Sequence, residues 1–418
     1  MAENNLTQQQ YSALYPWLRL AVALVLSTIG GVGMWSVVVV LPNVQAEFGI
    51  ARGAASFPYT ITMICFGIAS IFMGRLADRV GIFMPVAIGA VLLSLGFLSA
   101  GHAATIGQFT LLQGLLIGVG SSVTFAPLLA DTSLWFSKNR GLAVGIIASG
   151  NYLAGTIWPP LLTHFIQTAG WRETYAGVAW ICLLTMLPLA LVLRRRAPSL
   201  FGAMDTARRE ATQQRPLGLS PNALQVILIV AGLSCCVAMS MPQVHIIAYC
   251  GDLGFGPARG AQMLALMLAC GIVSRLSFGW ISDRIGGLRT LMLGSSLQAL
   301  ALLLFVPFDG LVSLYLLSAL FGLFQGGIVP AYAIIVREFF PAKEAGTRVS
   351  MVMTATMFGM ALGGWMSGVI FDWLGSYRAA FINGVAWNLL NVAIALWLLR
   401  RYRAAKLNLG KRSAYRIT

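Results

Sequence analysis

Long apolar runs separated by short polar or basic segments dominate the chain. A helix needs about 20 apolar residues to cross a bilayer, and runs of this kind lie at 17–41, 54–76, 82–101, 105–131, 141–168 and 171–193. After a polar stretch, further runs lie at 222–250, 257–280, 290–308, 311–336, 349–371 and 376–399. The pattern predicts twelve membrane-spanning helices, numbered as spans 1 to 12 in chain order, in two groups of six.

The two groups are related in sequence. The segment GRLADRVG at 74–81 recurs as GWISDRIG at 279–286, an offset of 205 residues. Six spans per group give both groups the same orientation, which predicts a parallel repeat about an axis along the membrane normal. The predicted domains are therefore an N-terminal bundle (1–193), a linker (194–220), a C-terminal bundle (221–400) and a basic tail (401–418).

Composition supports a protein embedded in a lipid bilayer. Hydrophobic residues make up 58% of the chain and charged residues 10%, whereas a soluble domain carries about 25% charged residues. The net charge of +15 is compatible with a nucleic-acid ligand, but the positions of the Lys and Arg residues indicate membrane topology instead. With the N-terminus inside, 23 of the 28 Lys and Arg residues fall on the cytoplasmic side, as the positive-inside rule requires.

This distribution predicts a cell inner membrane protein with both termini cytoplasmic and no nucleic-acid partner. The 194–220 linker is then cytoplasmic, either a plain tether or an amphipathic regulatory helix. The chain has no nucleotide-binding loop of the G-x-x-x-x-G-K-S/T kind and no nucleophile near a suitable base. Its six cysteines lack metal-ligand spacing. We therefore predict a non-enzymatic monomer without catalytic residues, metal or cofactor.

The repeated loop motif G-x-x-x-D-R-x-G resembles the signature of the major facilitator superfamily, and the resemblance extends over essentially the whole chain. Three segments are similar to the monocarboxylate transporter and oxalate/formate antiporter families: RGLAVGIIASGNYLAG at 140–155, Val244-His245 followed by DLGF at 252–255, and SRLSFG at 274–279. The resemblance implies an all-α fold of two six-helix bundles that transports by alternating access. It also implies that Arg275 binds the substrate carboxylate.

Arg275 is also a candidate on physical grounds. It is the one basic residue well inside a predicted span, and a charge placed there costs at least about 2.5 to 3.5 kcal/mol unless it meets an anion or water. Its planar guanidinium matches a carboxylate with two hydrogen bonds. The alternative is an arginine that reaches the cytoplasmic interface or pairs permanently with a carboxylate of the protein.

Other polar residues of the spans complete the predicted site. Tyr332, Tyr152 and Asn151 are candidates for lining the transport path, as this superfamily implies for their spans. His245 is a candidate proton carrier because its ordinary pKa is near 6.5; a purely hydrogen-bonding histidine is the other interpretation.

The repeated motif supplies the predicted gate on the cytoplasmic side. Its residues are Gly74, Asp78, Arg79, Gly279, Asp283 and Arg284. The first copy lacks the usual trailing basic residues, whereas the second keeps Arg289, so we expect the second copy to hold the gate more strongly. The alternative is that the two aspartates are only turn residues.

The sequence thus predicts a secondary active transporter of small organic anions, above all monocarboxylates, by proton-coupled symport or anion exchange. A drug or amphiphile exporter of the same superfamily and a non-transporting membrane sensor are the alternatives.

Overall fold

The computed structural model describes residues 2–136, 140–195, 217–340 and 342–414. Most of the predicted 194–220 linker, Lys138 and the end of the basic tail lie outside the described residues.

The first half of the chain forms helices that match the predicted spans 1 to 6. Their bounds are Ala2–Gly30 and Val32–Phe48 in span 1, Arg52–Val80 in span 2, Phe83–Gly101 in span 3, Ile106–Leu112, a π-helical segment Gln113–Gly118, Val119–Ser122 and Ala126–Trp135 in span 4, Arg140–Ala148 and Gly150–Ala169 in span 5, and Trp171–Val192 in span 6. Spans 1, 4 and 5 are therefore interrupted, whereas spans 2, 3 and 6 are continuous.

The second half forms spans 7 to 12, and no strand is found in the ranges that the structure describes. The helices are Pro221–Asp252 in span 7, Pro257–Ile285 in span 8, Gly287–Leu304 in span 9, Leu311–Gln325 and Ile328–Phe339 in span 10, Ala342–Leu374 in span 11, and Tyr377–Ala414 in span 12. Span 10 is interrupted, as its counterpart span 4 is. The predicted all-α class is confirmed.

Eleven helical segments of the described chain are long and apolar enough to cross a membrane. The predicted span that falls short is span 5. Its helix Gly150–Ala169 carries Asn151, His164 and Gln167 besides two prolines, which lowers its hydropathy. Asn151 lies at the beginning of this helix, and the exposed His164 and Gln167 lie in its last two turns, so the polar residues flank a mainly apolar stretch.

The side chains are sorted as a bilayer requires. Large apolar side chains such as Leu184, Val312 and Leu316 are exposed on the outside of the helices. Inside, polar side chains such as Gln113 are fully buried and hydrogen-bonded: its Nε2 donates to the carbonyl of Gly33 over 3.3 Å. An apolar exterior around a partly polar interior is stable in lipid and unfavourable in water.

The chain divides into two compact units. Unit 1 comprises Met1–Phe201 together with Ile246–Ala269, and unit 2 comprises Gly202–His245 together with Cys270–Thr418. The end of span 7 and the beginning of span 8 thus belong to the same unit as the first half of the chain, while the rest of both spans belongs to unit 2.

Candidate functional site

Arg275 lies within span 8 with a half-buried side chain. Its Nε donates a hydrogen bond to the backbone carbonyl oxygen of Gly326 in span 10 over 3.4 Å. The carbonyl is an uncharged acceptor, so this bond orients the guanidinium without adding a charge of its own. The structure therefore holds the guanidinium in a defined orientation inside a membrane-spanning helix.

The interruption of span 10 brings the Gly326 carbonyl to Arg275. Carbonyls at the end of a helix have no partner within that helix and can accept a bond from elsewhere. A Cβ at Gly326 would lie 2.8 Å from the Cβ of Ser274, and one at Gly327 would collide with Phe278. Spans 8 and 10 therefore approach closely only because both positions are glycine.

His245 is completely buried in unit 2, and both of its ring nitrogens have partners. Nε2 donates to the carbonyl oxygen of Gly364 over 2.7 Å, since a carbonyl can only accept. Nδ1 lies 3.0 Å from the hydroxyl of Tyr377, which donates to it when the imidazole is neutral. These contacts connect spans 7, 11 and 12 through one histidine.

Tyr332 belongs to a different polar cluster of unit 2. Its hydroxyl donates to Oδ1 of Asn391 over 2.8 Å, and Nδ2 of Asn391 donates to the hydroxyl of Ser295 over 2.7 Å. Asn388 donates to the backbone carbonyl of the same serine over 2.7 Å. All four side chains are fully buried, so the cluster joins spans 9, 10 and 12 inside the helix bundle.

Asn151 and Tyr152 lie in span 5 of unit 1, beside Trp35 of span 1. The indole Nε1 of Trp35 donates to the backbone carbonyl of Asn151 over 3.2 Å. The indole occupies the space over Gly155, where a Cβ would lie 2.7 Å from its Cε2 and would also collide with Leu268. The backbone carbonyl of Asn151 thus accepts the hydrogen bond of the indole, and the neighbouring Tyr152 side chain is buried.

Two glycines of the repeated motif lie where the chain turns, and the other two, Gly74 and Gly279, lie inside the preceding helices. Gly81 and Gly286 have φ values of 90° and 83°, which side chains disfavour, and each follows the end of a long helix. Gly74 and Gly279 have open space around their Cα atoms. The backbone conformation therefore requires glycine at positions 81 and 286, whereas no contact with a described residue requires glycine at positions 74 and 279.

The charged residues of the motif are exposed. Asp78, Arg79, Asp283 and Arg284 all lie on the surface, and within the described ranges no ion pair joins any of them to another side chain. The Arg284 guanidinium instead lies 3.6 Å from the ring centre of Trp280.

A bidentate ion pair between Arg52 and Asp252 was missed by the sequence reasoning. Arg52 begins span 2 and Asp252 ends span 7. Their two hydrogen bonds measure 3.1 and 3.0 Å, and only 7% of Arg52 is exposed. In the sequence, Arg52 lies in a polar connection at one end of a span, which does not indicate that its side chain is buried. Its pairing with a residue 200 positions away cannot be read from a single sequence.

The pairing of two buried glutamines was also missed. Gln243 of span 7 donates through Nε2 to Oε1 of Gln325 in span 10 over 2.9 Å. Gln325 precedes the glycines at the interruption of span 10, so this bond lies next to the segment that orients Arg275. Isolated glutamines within apolar runs are the sequence signal that would have found them, because an amide in a span needs a partner.

The family model described as Major Facilitator Superfamily matches residues 23–313 and 263–416 of the chain. Together these ranges cover residues 23–416, which contain most of span 1 and all or nearly all of spans 2 to 12.

Curated relatives include Monocarboxylate transporter 13 of Bos taurus, which is 28% identical over 334 residues, covering 77% of this chain and 75% of the relative. The Agnestins efflux protein AgnL12 of Paecilomyces divaricatus is 24% identical, covering 82% of this chain and 77% of the relative.

Solved structures show the same fold at low sequence identity. A bacterial homolog of the human lysosomal transporter Spinster superposes with a TM-score of 0.69 at 15% identity, covering 94% of this chain and 97% of that chain. A point mutant of the nucleoside transporter NupG superposes with a TM-score of 0.68 at 15% identity, covering 93% of this chain and 99% of that chain.

Proposed function

Because the chain belongs to the major facilitator superfamily and is a multi-pass membrane transporter rather than an enzyme, we propose that it carries small organic anions, above all monocarboxylates, by alternating access. Proton-coupled symport or anion exchange would drive the transport. The roles predicted for Tyr332, His245, Tyr152 and Asn151 in binding stay predictions.

The orientation of Arg275 is the observation that carries this proposal. The guanidinium is half-buried in a span, and its Nε is held by the uncharged carbonyl of Gly326. A carboxylate that reached it would gain a charge-assisted hydrogen bond in a medium of low dielectric constant. This chemistry supports the proposed substrate class, and so does the similarity to a mammalian relative that is named a monocarboxylate transporter.

The proposal places the protein in the cell inner membrane with both termini in the cytoplasm. The cation distribution supports this orientation, because 23 of 28 basic residues would then be cytoplasmic.

Uptake of radiolabelled carboxylates into proteoliposomes tests the proposal, with and without an imposed pH gradient. We expect saturable uptake by the wild-type protein and no competition from uncharged amides of the same acids. Arg275→Ala should lower affinity by roughly one to two decades, since a charge-assisted pair contributes about 1.5 to 3 kcal/mol. Arg275→Lys should retain weak transport at most, because lysine lacks the planar fork.

Arg259→Ala is the matched control. Arg259 lies on the same helix but is exposed and bonds only weakly, over 3.4 Å, to Gln262. We expect uptake to be unchanged in this variant. Wild-type affinity for a carboxylate in Arg275→Ala, measured on purified protein, would contradict the proposed binding role.

An exporter of larger amphiphiles is the second candidate, favoured by the similarity to a fungal efflux protein. Transport by such an exporter would not depend on Arg275. If carboxylates are not taken up and Arg275→Ala still extrudes a lipophilic dye at the wild-type rate, this second function replaces the first.

A further inference from the structure

The hairpin Ile246–Ala269 links the end of span 7 to the beginning of span 8, and backbone hydrogen bonds and close contacts connect its parts. After Asp252 the chain turns through Gly254 and Gly256, whose φ values are 81° and 82°. The amides of Phe255 and Gly256 donate to the carbonyl of Cys250 over 2.9 and 3.2 Å. The turn therefore folds back onto the end of span 7 and fixes the position of Asp252.

The beginning of span 8 packs tightly on the same helix end. A Cβ at Gly260 would lie 2.5 Å from the Cα of Ile247 and 3.2 Å from the Cβ of Cys250. The two arms of the hairpin are thus in close backbone contact, and they should move together if the hairpin moves.

Although it belongs to the second half of the sequence, the hairpin clusters with the first half in unit 1. Leu268 of the hairpin lies over Gly155 of span 5, beside the indole of Trp35. At the opposite end of the hairpin, Asp252 accepts two hydrogen bonds from Arg52. Apolar packing and one ion pair therefore hold the hairpin against the first half.

The ion pair is not explained by the helices that carry it. Arg52 is the first residue of its helix, where the helix dipole disfavours a cation, and Asp252 is the last residue of its helix, where the dipole disfavours an anion. Each charge is unfavourable for its own helix and is compensated by the other. The bidentate geometry and the burial of Arg52 make this pair stronger than an ordinary surface salt bridge.

We propose that the Arg52–Asp252 ion pair is a latch that holds the hairpin Ile246–Ala269 on the first half of the chain and must break when the transporter opens at this end. The proposal rests on the alternating access proposed above, because it assumes that the two sequence halves separate during transport. It assigns to Arg52 and Asp252 a role in the conformational equilibrium and none in substrate binding.

Distances between spin labels on purified full-length protein in lipid nanodiscs test the latch without any substrate. Labels on Gln167→Cys, in the first half, and Gln262→Cys, in the hairpin, both occupy exposed positions. In a background with the six native cysteines replaced, the distance distribution should contain a short and a longer population. We expect Arg52→Gln and Asp252→Asn each to raise the ratio of longer to short about tenfold, as loss of a charge-assisted pair predicts.

The charge-reversed double variant Arg52→Asp/Asp252→Arg should restore the wild-type distribution. Arg172→Ala is the matched control, because the Arg172–Glu47 pair lies within the first half and does not involve the hairpin. We expect it to leave the distribution unchanged.

Unchanged distributions in both single variants would overturn the latch. So would single-variant shifts that the reversed pair fails to correct, because the effect would then not come from the pairing. If either single variant does not fold, the reversed double variant and Arg52→Lys, which keeps the charge, still decide between these outcomes. A failure of carboxylate uptake would leave these distances unaffected, so the latch and the substrate assignment fail independently.

Discussion

Charged side chains are held differently at the end of span 2 that carries Arg52 and at the helix ends that carry the repeated motif. Arg52 pairs with Asp252, and Arg172 pairs with Glu47. In the motif the aspartates and the arginines that follow them are exposed, and in the described part of the chain none of them forms an ion pair. Among the described residues, the motif charges that resemble a family gate are thus not ion-paired, whereas the four charges of these two pairs, which lie outside that motif, are.

This difference indicates that a gate cannot be assigned from a motif in one conformation. In alternating access, the contacts that close one side are expected to be broken when the other side is closed. We therefore expect Arg52–Asp252 and the motif charges to act in opposite phases of the transport cycle. Predictions that separate the two regions test this interpretation.

The largest expected effect concerns which region faces outward. Two exposed positions test this. Ala104 follows Ala103, whose backbone carbonyl accepts a hydrogen bond from Arg172, and Val80 lies in the first copy of the motif. In a cysteine-free background, an impermeant maleimide added to intact cells should label Ala104→Cys and leave Val80→Cys unlabelled. The reason is the cation bias, which places the motif loops in the cytoplasm.

Permeabilised cells provide the control, since both variants should then react. Labelling of Val80→Cys alone in intact cells would reverse the topology, and Arg52–Asp252 would become a cytoplasmic pair.

Much of the fold could be predicted from hydrophobic runs alone, because a helix in lipid must satisfy its backbone internally and must be long enough to span the bilayer. The interruptions of the spans could not. Span 10 breaks at Gly326 and Gly327, where Phe278 of another span packs, and a break of this kind depends on the partner rather than on the local sequence.

The candidate site shows the same limit. Arg275 was recognisable because a cation inside a span is costly. The contacts of His245 were not, because its partners Gly364 and Tyr377 lie more than 100 residues away along the chain and become neighbours only in the folded bundle. Pattern and composition identify residues that need a partner, and the fold determines which partner they receive.

A second, smaller effect is expected for Asp283→Asn in the second motif loop. If the aspartate acts in the state that closes the cytoplasmic side, the variant should slow turnover on the order of tenfold while substrate affinity changes less than about twofold. Initial uptake rates and equilibrium binding on the same purified protein measure the two quantities.

Asp309→Asn is the control for this variant. Asp309 is also exposed, and its ion pair with Arg378 is long, at 3.5 Å. We expect normal turnover there. Equal turnover of Asp283→Asn and wild type would make the second motif a turn and remove it from the gate.

The smallest effect is expected for Asp78→Asn in the first motif copy. After GRLADRVG the chain continues with Ile82, Phe83 and Met84, whereas the second copy is followed by the exposed Arg289. Asp78 therefore lacks a trailing cation and has only Arg75 and Arg79 of its own copy beside it in sequence, and exposed pairs are weak and screened by salt. Turnover of Asp78→Asn should therefore fall only about two- to threefold, and less in high salt. A loss as large as that of Asp283→Asn would show that the two copies contribute equally, and that the basic residue following the second copy does not strengthen the gate.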